Sequence, residues 1–550
     1  MSTSAFPMMN RTKPINIGVA DATLRDFSGG LKSVESDTTL KSSDSVVLTN
    51  MFVHEGYSQV LRFGTKEFAT TADDIIGIHY GGTKFIAALA DGTIQTIDDA
   101  GTVVTIWDST IAATLPGSPS GWVGTATRVT FTEENGTYII QNGVDKPVIV
   151  SNTYVVTYLQ DLATLTNINT PIALFGTMVD DYFVVALDTT DPTIIVSSKG
   201  ASGTFIGDAL PNDSVSKNLG RYISTGNGKI KGLHSFRNNL FVFLESAIIV
   251  LRLGIYDDSG NHVPEVVDTI FGLGLINHDA AVALEKDFVF LSNDGVFSSV
   301  RSILSGNFES KPLSEDILPL IYQNVFMLLN EGDKTFLVQD KIKKKLFFFI
   351  RKADTTSFVF VMSYTSDMKK ISWSIIEGWD FDGGCYTKQK RVFFYKGDTI
   401  YQYGNDVFAD EDYYADLISA GNPTGTAINF DWELPWLDIG TRSRTKELKR
   451  LNAETLGTAN FTLQIFADRN YKDSLGAYIP DLSMNMRAGS VTGYGTPSIG
   501  YGGGRRISDE RLYGFPIRFK IFKMRITGST KEKLSINSIT IFYKQGRFHR

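Results

Sequence analysis

A strand–turn–strand pattern recurs along this chain, and residues 285–300 show it most clearly. Residues 288–291 (Phe-Val-Phe-Leu) are aromatic, β-branched or aliphatic, which are side-chain types that suit a pleated sheet. Residues 293–295 (Asn-Asp-Gly) predict a tight turn, because Gly295 can adopt a positive φ angle at little cost. A return strand begins at Val296. A chain made of such units is predicted to be an antiparallel, all-β protein.

Comparable hairpins recur between residues 74 and 404 at intervals of a few tens of residues. Their strands are predicted at 75–80, 85–89, 93–97, 129–131, 136–140, 147–150, 172–174, 182–187, 193–196, 230–236, 240–244, 247–251, 335–338, 345–350, 358–362, 392–395 and 400–403. Repeated units of three or four strands are typical of a β-propeller, in which each unit buries its faces against its neighbours. We therefore predict a propeller-like body over residues 74–404. A pair of stacked β-sandwiches is the structural alternative.

The N-terminal residues 1–73 show little periodicity apart from a strand-like run at 46–53. They are predicted to form an extended arm with the first strands, which lies on the rest of the molecule or on a neighbour. A mobile terminus is the alternative.

Few helices are expected. The clearest prediction is a short helix over residues 314–327, where Ser314 is placed to cap the first turn. Glu315 and Asp316 follow it, and carboxylates favour that end of a helix dipole.

A polar stretch, residues 405–428, separates the body from the C-terminal part of the chain. Its carboxylates include Asp410, Glu411 and Asp412. They suggest a calcium loop at first sight, but the glycine and glutamate that an EF-hand requires at fixed positions are absent. We interpret the stretch as an acidic linker or loop.

Residues 429–550 alternate apolar and polar side chains with a period of two, which predicts a small antiparallel β-sandwich. A long loop rich in glycine and methionine, residues 481–512, interrupts it, and loops of this length are usually functional or disordered. A basic run lies near the start of this unit; its members are Arg442, Arg444, Lys446, Lys449 and Arg450.

Charge is divided unevenly between these two parts of the chain. Residues 1–420 carry a net charge of −16, whereas residues 421–550 carry +9. Such asymmetry favours a nucleic-acid or partner surface on the basic unit. The alternative is that the two units neutralise each other within an assembly.

The sequence lacks the common motifs of enzymatic chemistry. It contains one cysteine, Cys385, so neither an intramolecular disulfide nor a cysteine zinc site is expected. No phosphate-binding loop or His-Glu-x-x-His motif is present, and the six histidines do not cluster. We therefore predict no catalytic residues, no cofactor and no metal. A glycosidase stays open as an alternative, because its carboxylate pair can come from distant blades. Neither a signal peptide nor a membrane anchor is recognised, and a soluble protein is expected.

Several short segments follow one another in a characteristic order. They are residues 26–31 (Asp-Phe-Ser-Gly-Gly-Leu), 48–50 (Leu-Thr-Asn), 61–65 (Leu-Arg-Phe-Gly-Thr), 274–276, 287–297, the predicted helix 314–327 and the ending 541–547. Together they resemble the tail nozzle proteins of short-tailed bacteriophages, a family also called tail tubular protein B or tail-hub stabilisation protein. The resemblance covers most of the chain, but the loop 481–512 is not matched.

The resemblance implies a structural virion protein. It would be one subunit of a hexameric ring that forms the DNA-ejection conduit and closes it before infection. The implied partners are further copies of itself, the adaptor or tail tube protein above, tail fibres or spikes, and double-stranded DNA that passes without specific binding. The implied location is the virion tail, after synthesis in the host bacterial cytoplasm. The alternative is a tail propeller protein that binds or degrades a host-receptor glycan.

Two sets of residues are candidate sites for that function. Asp410, Glu411 and Asp412 are predicted to face the channel or lie near its gate, because an acidic wall does not grip phosphates. The basic run 442–450 is predicted to contribute to a head-to-tail subunit contact with the acidic body. The alternative is a solvated strand edge, on which lysine blocks unwanted pairing.

Overall fold

The structure, a computed structural model, describes residues 19–54, 58–114, 122, 126–158, 172–180, 182–186, 193–197, 215–220, 229–259, 263–284, 287–298, 312–324, 333–352, 357–366, 368–404, 409–410, 425–439, 444–457, 459–468, 479–487, 506–511 and 517–546. Most of these residues lie in antiparallel β-sheets, and helices are few and short. The prediction of an all-β protein is confirmed.

The body consists of consecutive small sheets, which we number I to VII in chain order. Sheet I comprises Ile75–Tyr80, Phe85–Leu89, Ile94–Ile97 and Val103–Trp107; sheet II comprises Thr130–Glu134, Thr137–Gln141, Val148–Val150 and Val156–Tyr158. Sheet III comprises Phe175–Val179, Tyr182–Ala186, Thr193–Ser197 and Val215–Asn218; sheet IV comprises Ile230–Phe236, Asn239–Leu244, Ala247–Arg252 and Glu265–Phe271. Sheet V comprises Ala281–Ala283, Phe288–Ser292 and Gly295–Ser298; sheet VI begins with Lys334–Asp340, Lys345–Arg351, Ser357–Tyr364 and Ile371–Ile376; sheet VII comprises Gly383–Tyr386, Val392–Lys396, Thr399–Tyr403 and Thr65–Thr70.

The first strands of these sheets contact one another in sequence. Direct strand contacts join sheet II to III, III to IV, V to VI, VI to VII, and VII to I. Sheets I and II meet where the ring of His79 stacks on that of Phe131, with centroids 5.5 Å apart. Sheet IV contacts the 3₁₀ helix His278–Ala280, which precedes sheet V. The body is therefore β-propeller-like, as the hairpin pattern predicted.

Sheet VII is assembled from two distant parts of the chain. Its strand Thr399–Tyr403 pairs antiparallel with Thr65–Thr70, so that Tyr403 lies opposite Thr65. This pairing joins the end of the body to the residues that precede sheet I. Several inner strands are buried along their whole length, as in Phe85–Leu89, because both faces of each sheet are covered.

The C-terminal part contains two long sheets that share one hydrophobic core. One has the strand order Arg506–Arg511, Lys446–Gly457, Leu534–Gln545, Gln59–Leu61, Met51–Val53. In addition, Ala20–Leu24 pairs with Leu534–Gln545, and Arg518–Phe519 pairs with Lys446–Gly457. The other continues sheet VI through Val47–Thr49, Thr426–Glu433, Phe522–Thr530, Asn460–Ala467 and Leu482–Arg487, with Ala409–Asp410 beside Thr426–Glu433. Trp432, Leu451, Leu463, Ile526 and Ile539 are all buried in this core. The period-two alternation of this part is confirmed, but residues 429–550 do not form the sandwich alone, because strands from residues 20–61 complete both sheets. The prediction of one loop over 481–512 is wrong at its ends, where Leu482–Arg487 and Arg506–Arg511 are strands.

One strand from the N-terminal part, Val47–Thr49, is built into this second sheet. Thr49 pairs in parallel with Ile375 of sheet VI and antiparallel with Asp431 on its other side. The strand Val47–Thr49 therefore links the propeller-like body to the sandwich. A short parallel pair, Gly30–Leu31 with Asp44–Ser45, lies nearby in the chain.

The helices occupy connections between strands. Ser109–Ala113 is α-helical and is capped by the carboxylate of Asp108, which accepts a hydrogen bond from the Ile111 amide at 2.7 Å. Glu315–Ile317 is a 3₁₀ helix that leads into the α-helix Leu318–Asn324. No helix among the described residues is long and apolar enough to cross a membrane.

The predicted capping role of Ser314 is wrong. Its side chain makes no capping hydrogen bond to the helix. The hydroxyl instead accepts a hydrogen bond from the backbone amide of Val296 at 3.0 Å. Ser314 therefore ties the helical segment to the hairpin of sheet V, in which Gly295 has the predicted positive φ, +130°.

Candidate functional site

A buried polar network joins the N-terminal segment to the body and the sandwich, and we call it the junction. Its centre is Arg62, whose side chain is 1% exposed. The guanidinium donates from Nε to the side-chain oxygen of Asn50 at 2.7 Å and from Nη1 to Asp410 at 2.7 Å, while Nη2 binds the second carboxylate oxygen of Asp410. Asn50 in turn donates to the backbone carbonyl of Asn429 at 2.6 Å. These bonds hold together segments that are far apart in sequence.

An aromatic side chain completes the junction. The guanidinium of Arg62 lies over the ring of Trp379, with its carbon 4.7 Å from the ring centroid. The Trp379 indole N–H donates to Asp410 at 3.0 Å. A buried charge is tolerated only where it is paired and hydrogen-bonded, and both conditions are met here. Gly64 lets the strand Ala409–Asp410 approach, because a Cβ at residue 64 would overlap the carbonyl oxygen of Ala409.

A second contact lies on the sandwich side of this region. Phe27 is fully buried and packs edge-on against Trp432, with ring centroids 4.8 Å apart. The side chain of Gln59 donates to the Phe27 carbonyl at 3.0 Å. Residues 26–31, 48–50 and 61–65 therefore all pack where the body meets the sandwich.

The structure corrects the prediction of a channel-facing Asp410. Its side chain is 14% exposed, and its carboxylate is occupied by Arg62 and Trp379. The carboxylate therefore stabilises the junction of the subunit itself. Glu411 and Asp412 lie outside the described residues.

The members of the basic run differ in their exposure to solvent. Lys446 is fully buried: its ammonium donates to Asp438 at 3.1 Å and to the carbonyl of Lys520 at 2.8 Å. The prediction that Lys446 contributes to a subunit contact is therefore wrong. Its position follows from strand alternation, because it shares a face with the buried Leu448.

The other members of the run that the structure describes are nearer to solvent. Lys449 is 39% exposed and pairs with Glu447. Arg450 is partly buried, donates to Asn452 at 3.0 Å and lies over the ring of Phe542. Arg444 is partly exposed, and Arg442 lies outside the described residues.

The first strands of the body surround a cavity of about 270 Å³. Its wall contains charged and polar side chains from separate sheets, among them His79, Arg128, Asp279, Lys334, Thr335 and Asp382. Solvent reaches this wall, because the side chains of Asp279 and Lys334 are 45% and 46% exposed. We call this the inner cavity.

Opposite charges are paired across the inner cavity wall. The guanidinium of Arg128 binds the side-chain oxygen of Asn277 and lies 2.8 Å from the carboxylate of Asp279. Lys334 lies 2.9 Å from Asp382, which also binds Arg351. Burial raises the pKa of Asp382, but the hydrogen bonds from Lys334 and the Gly397 amide and the nearby positive charges outweigh it, so that the pKa is lowered overall.

A third ion pair lies between sheets I and II. Glu133 is 3.5 Å from the imidazole of His79 and 2.9 Å from the ammonium of Lys388. The hydrogen bond from His79, together with that from Lys388, lowers the pKa of Glu133 to about 2 despite its partial burial. Glu133 is thus held as a carboxylate.

Two stacked histidines lie beside the inner cavity. The rings of His234 and His278 are 4.5 Å apart and nearly parallel, and Phe175 stacks on the other side of His278 at 5.1 Å. The Nε2 of His234 is 2.9 Å from the carbonyl of His278. Desolvation lowers the pKa of His234 to about 4, and desolvation and the neighbouring charges of His234 and Arg128 lower that of His278.

The inner cavity could not be predicted from the sequence. Its side chains are separated by up to several hundred residues, and only the order in which the sheets follow one another brings them together. Lys334 is the first residue of the first strand of sheet VI, and Asp382 directly precedes that of sheet VII, but the sequence predicted only the former strand, at 335–338. Within the part of the chain that the structure describes, no cluster of His, Cys, Asp and Glu could hold a metal ion.

No protein-family model and no curated protein matches this chain. Among solved structures, it is similar to PorZ, an essential bacterial surface component of the type IX secretion system of Porphyromonas gingivalis, at 12% identity and a TM-score of 0.34. That similarity covers 62% of this chain and 37% of PorZ, so the chain spans little more than a third of that protein. The computationally designed Ika8 protein is similar over 62% of this chain and 99% of its own, at 12% identity and a TM-score of 0.32. TM-scores this low assign neither a family nor a function.

Proposed function

We propose that this protein is a structural virion protein, one subunit of a hexameric tail nozzle ring that forms the DNA-ejection conduit of a short-tailed bacteriophage and closes it before infection. The observation that carries the proposal is the placement of residues 26–31, 48–50 and 61–65. These three segments of the family resemblance are separate in sequence but pack together where the body meets the sandwich. Short motifs that jointly build one junction support a shared architecture better than motifs scattered over a surface.

The electrostatics of the inner cavity favour a structural function over a glycosidase. A glycosidase needs a carboxylic acid whose pKa is raised, so that it can protonate the leaving group. The pKa values of Glu133 and Asp382 are lowered instead. Asp279 is paired with Arg128. The carboxylates in this region therefore act as ion-pair partners.

The uneven charge of the chain supports assembly into a ring. A head-to-tail ring brings two different faces of the subunit together. Residues 1–420, with a net charge of −16, and residues 421–550, with +9, are complementary for such a contact, and charge complementarity fixes orientation. The exposed members of the basic run, with Lys449 as the clearest, are the candidates for the positive side.

The same charge distribution suits a conduit for DNA. Each phosphate that a protein neutralises adds affinity and would slow the passage of the duplex. An acidic body repels phosphates and leaves the duplex free to move. The proposed partners are the adaptor or tail tube protein above the ring and the tail fibres or spikes beside it.

Electron microscopy of the purified full-length protein tests this proposal. We expect rings with six-fold symmetry and an axial channel, and weak, salt-insensitive retention of double-stranded DNA in a fluorescence anisotropy titration. Particles that are monomeric or trimeric over the whole accessible concentration range would contradict the nozzle function. Tight DNA binding that falls steeply with salt would contradict the conduit.

A further inference from the structure

The inner cavity carries hydrogen-bonding groups that have no partner among the residues that the structure describes. The hydroxyl of Thr335 is buried in a residue that is 2% exposed, and it has no hydrogen-bond partner among the described residues. The Nε of Arg128 is also buried without a partner in the described part of the chain. Buried polar groups of folded proteins are almost always satisfied, so an unused donor and hydroxyl in one cavity wall indicate a site for a polar ligand.

The charge of the wall limits what that ligand can be. Asp279 and Asp382 present two carboxylates, and Arg128 and Lys334 present two cations. An anion would be repelled by the carboxylates, and a cation by the guanidinium and the ammonium. A neutral molecule that donates and accepts hydrogen bonds complements the carboxylates as well as the cations. Hydroxyl groups can act as donor and as acceptor.

Size and apolar surface narrow the choice further. At about 270 Å³, the inner cavity lies just below the range of roughly 300–1,000 Å³ that is usual for drug-sized ligands. It therefore suits a single ring. Phe131 and Tyr395 also line it and offer aromatic surface to the C–H groups of such a ring. We propose that the inner cavity binds one neutral sugar residue, held by Thr335, Arg128 and the carboxylates of Asp279 and Asp382.

This inference goes beyond the proposed ring function and does not depend on it. The sugar can be free in solution or can be the terminal residue of a glycan, since both present the same hydroxyl groups. The paired state of the carboxylates predicts binding without hydrolysis.

Ligand-observed NMR and calorimetry on the full-length protein test the proposal. The probes are glucose, galactose and N-acetylglucosamine, with glucuronate, glucosamine and inorganic phosphate as charged comparisons. We expect saturable binding of at least one neutral sugar with a Kd on the order of 1 mM, which is what a ligand of this size can reach. The methyl glycoside of whichever sugar binds then distinguishes the free sugar from the glycan terminus. A site for the terminal residue of a glycan still binds the methyl glycoside, whereas a site for the free sugar does not.

Thr335→Val is the decisive variant. It replaces the hydroxyl by a methyl group of nearly the same size, and we expect it to weaken sugar binding about three- to tenfold through one lost hydrogen bond. Arg128→Lys keeps the charge but removes the Nε donor, and it should also weaken binding. Thr455→Val is the matched control, because Thr455 is buried in the sandwich and its hydroxyl likewise has no partner among the described residues.

Three results would overturn the proposal. One is the absence of saturable binding by every neutral sugar at concentrations well above the expected Kd. Another is tighter binding of glucuronate or phosphate than of any neutral sugar. The third is equal sugar affinity in Thr335→Val, Thr455→Val and the wild type, with all three folded by circular dichroism.

Discussion

The guanidinium of Arg62 binds both carboxylate oxygens of Asp410, although the two residues are 348 positions apart in the chain. Arg62 follows the strand Gln59–Leu61 of one sandwich sheet, and Asp410 lies beside the strand Thr426–Glu433 of the other. Trp379, which donates to Asp410, belongs to the segment between sheets VI and VII. A single ion pair thus connects the N-terminal segment, the body and the sandwich.

We expect Asp410→Ala to destabilise the fold strongly. The change leaves the guanidinium of Arg62 buried without its counter-ion, and breaking a buried pair in this way typically costs about 3–5 kcal/mol. Arg525→Ala is the matched control. Arg525 also binds both oxygens of a carboxylate, that of Asp431, but its side chain is 39% exposed, and exposed pairs contribute about 0–1 kcal/mol. Urea denaturation followed by tryptophan fluorescence measures both variants, and equal losses would contradict the role of Arg62 and Asp410.

Gly295→Val should destabilise the hairpin of sheet V in two ways. Its φ of +130° is costly for any residue with a side chain, by about 1–3 kcal/mol. A Cβ there would also lie 2.7 Å from the hydroxyl oxygen of Ser314, which is engaged by Val296. Gly272→Val separates the two effects, because Gly272 has a φ of +78° with no atom near its Cβ position. A melting temperature that falls no further in Gly295→Val than in Gly272→Val would argue against the steric part.

Stability should fall as the pH is lowered from about 6.5 to 4. In the unfolded protein the pKa of His234 is about 6.5. In the folded protein desolvation lowers this pKa to about 4. Between these values the unfolded state binds more protons, so the free energy of unfolding decreases on acidification, by up to about 3 kcal/mol for this residue. His278, whose pKa is also lowered, acts in the same direction.

Melting temperatures measured over this pH range check that dependence. His234→Gln retains a donor toward the carbonyl of His278 but cannot be protonated, so its melting temperature should vary less with pH than that of the wild type. His54→Gln, at an exposed histidine, should leave the dependence unchanged. A wild type whose melting temperature is constant between pH 4 and 6.5 would refute the histidine contribution.

Local patterns predicted the hairpins well, because the signals for a strand and a turn lie within a few residues of each other. Gly295 shows this: the turn sequence identified its positive φ. The pairing of Thr49 with both Ile375 and Asp431 could not be predicted, since it joins segments more than 300 residues apart without a local signal. The inner cavity was missed for the same reason.

The charge of a side chain alone predicts the wrong position for a charged residue that is buried. Their charged side chains predict exposed positions for Asp410 and Lys446. Each is buried because an opposite charge or a carbonyl satisfies it inside the subunit. For Lys446 the strand alternation indicated the correct face, whereas nothing near Asp410 in sequence indicated Arg62.

Reversing the other basic residues near the start of the sandwich should disrupt the proposed ring without unfolding the subunit. Lys446 is left out of this variant, because its ammonium is buried and bound to Asp438 inside the subunit. The remaining members of the run are Arg442, Arg444, Lys449 and Arg450, and we expect their combined change to glutamate to leave folded monomers. A single change should have little effect, since each exposed ion pair contributes about 0–1 kcal/mol.

A control variant and the salt dependence of the wild-type ring test whether charge pairs hold the ring together. Lys41→Glu with Arg252→Glu changes two exposed cations outside the sandwich and should leave the ring intact. Raising the salt concentration should dissociate the wild-type ring before the subunit unfolds, because screening weakens exposed charge pairs. Sedimentation velocity and circular dichroism follow assembly and folding separately. If the reversed variant assembles at low salt as well as the wild type, charge complementarity between the two units does not hold the ring together.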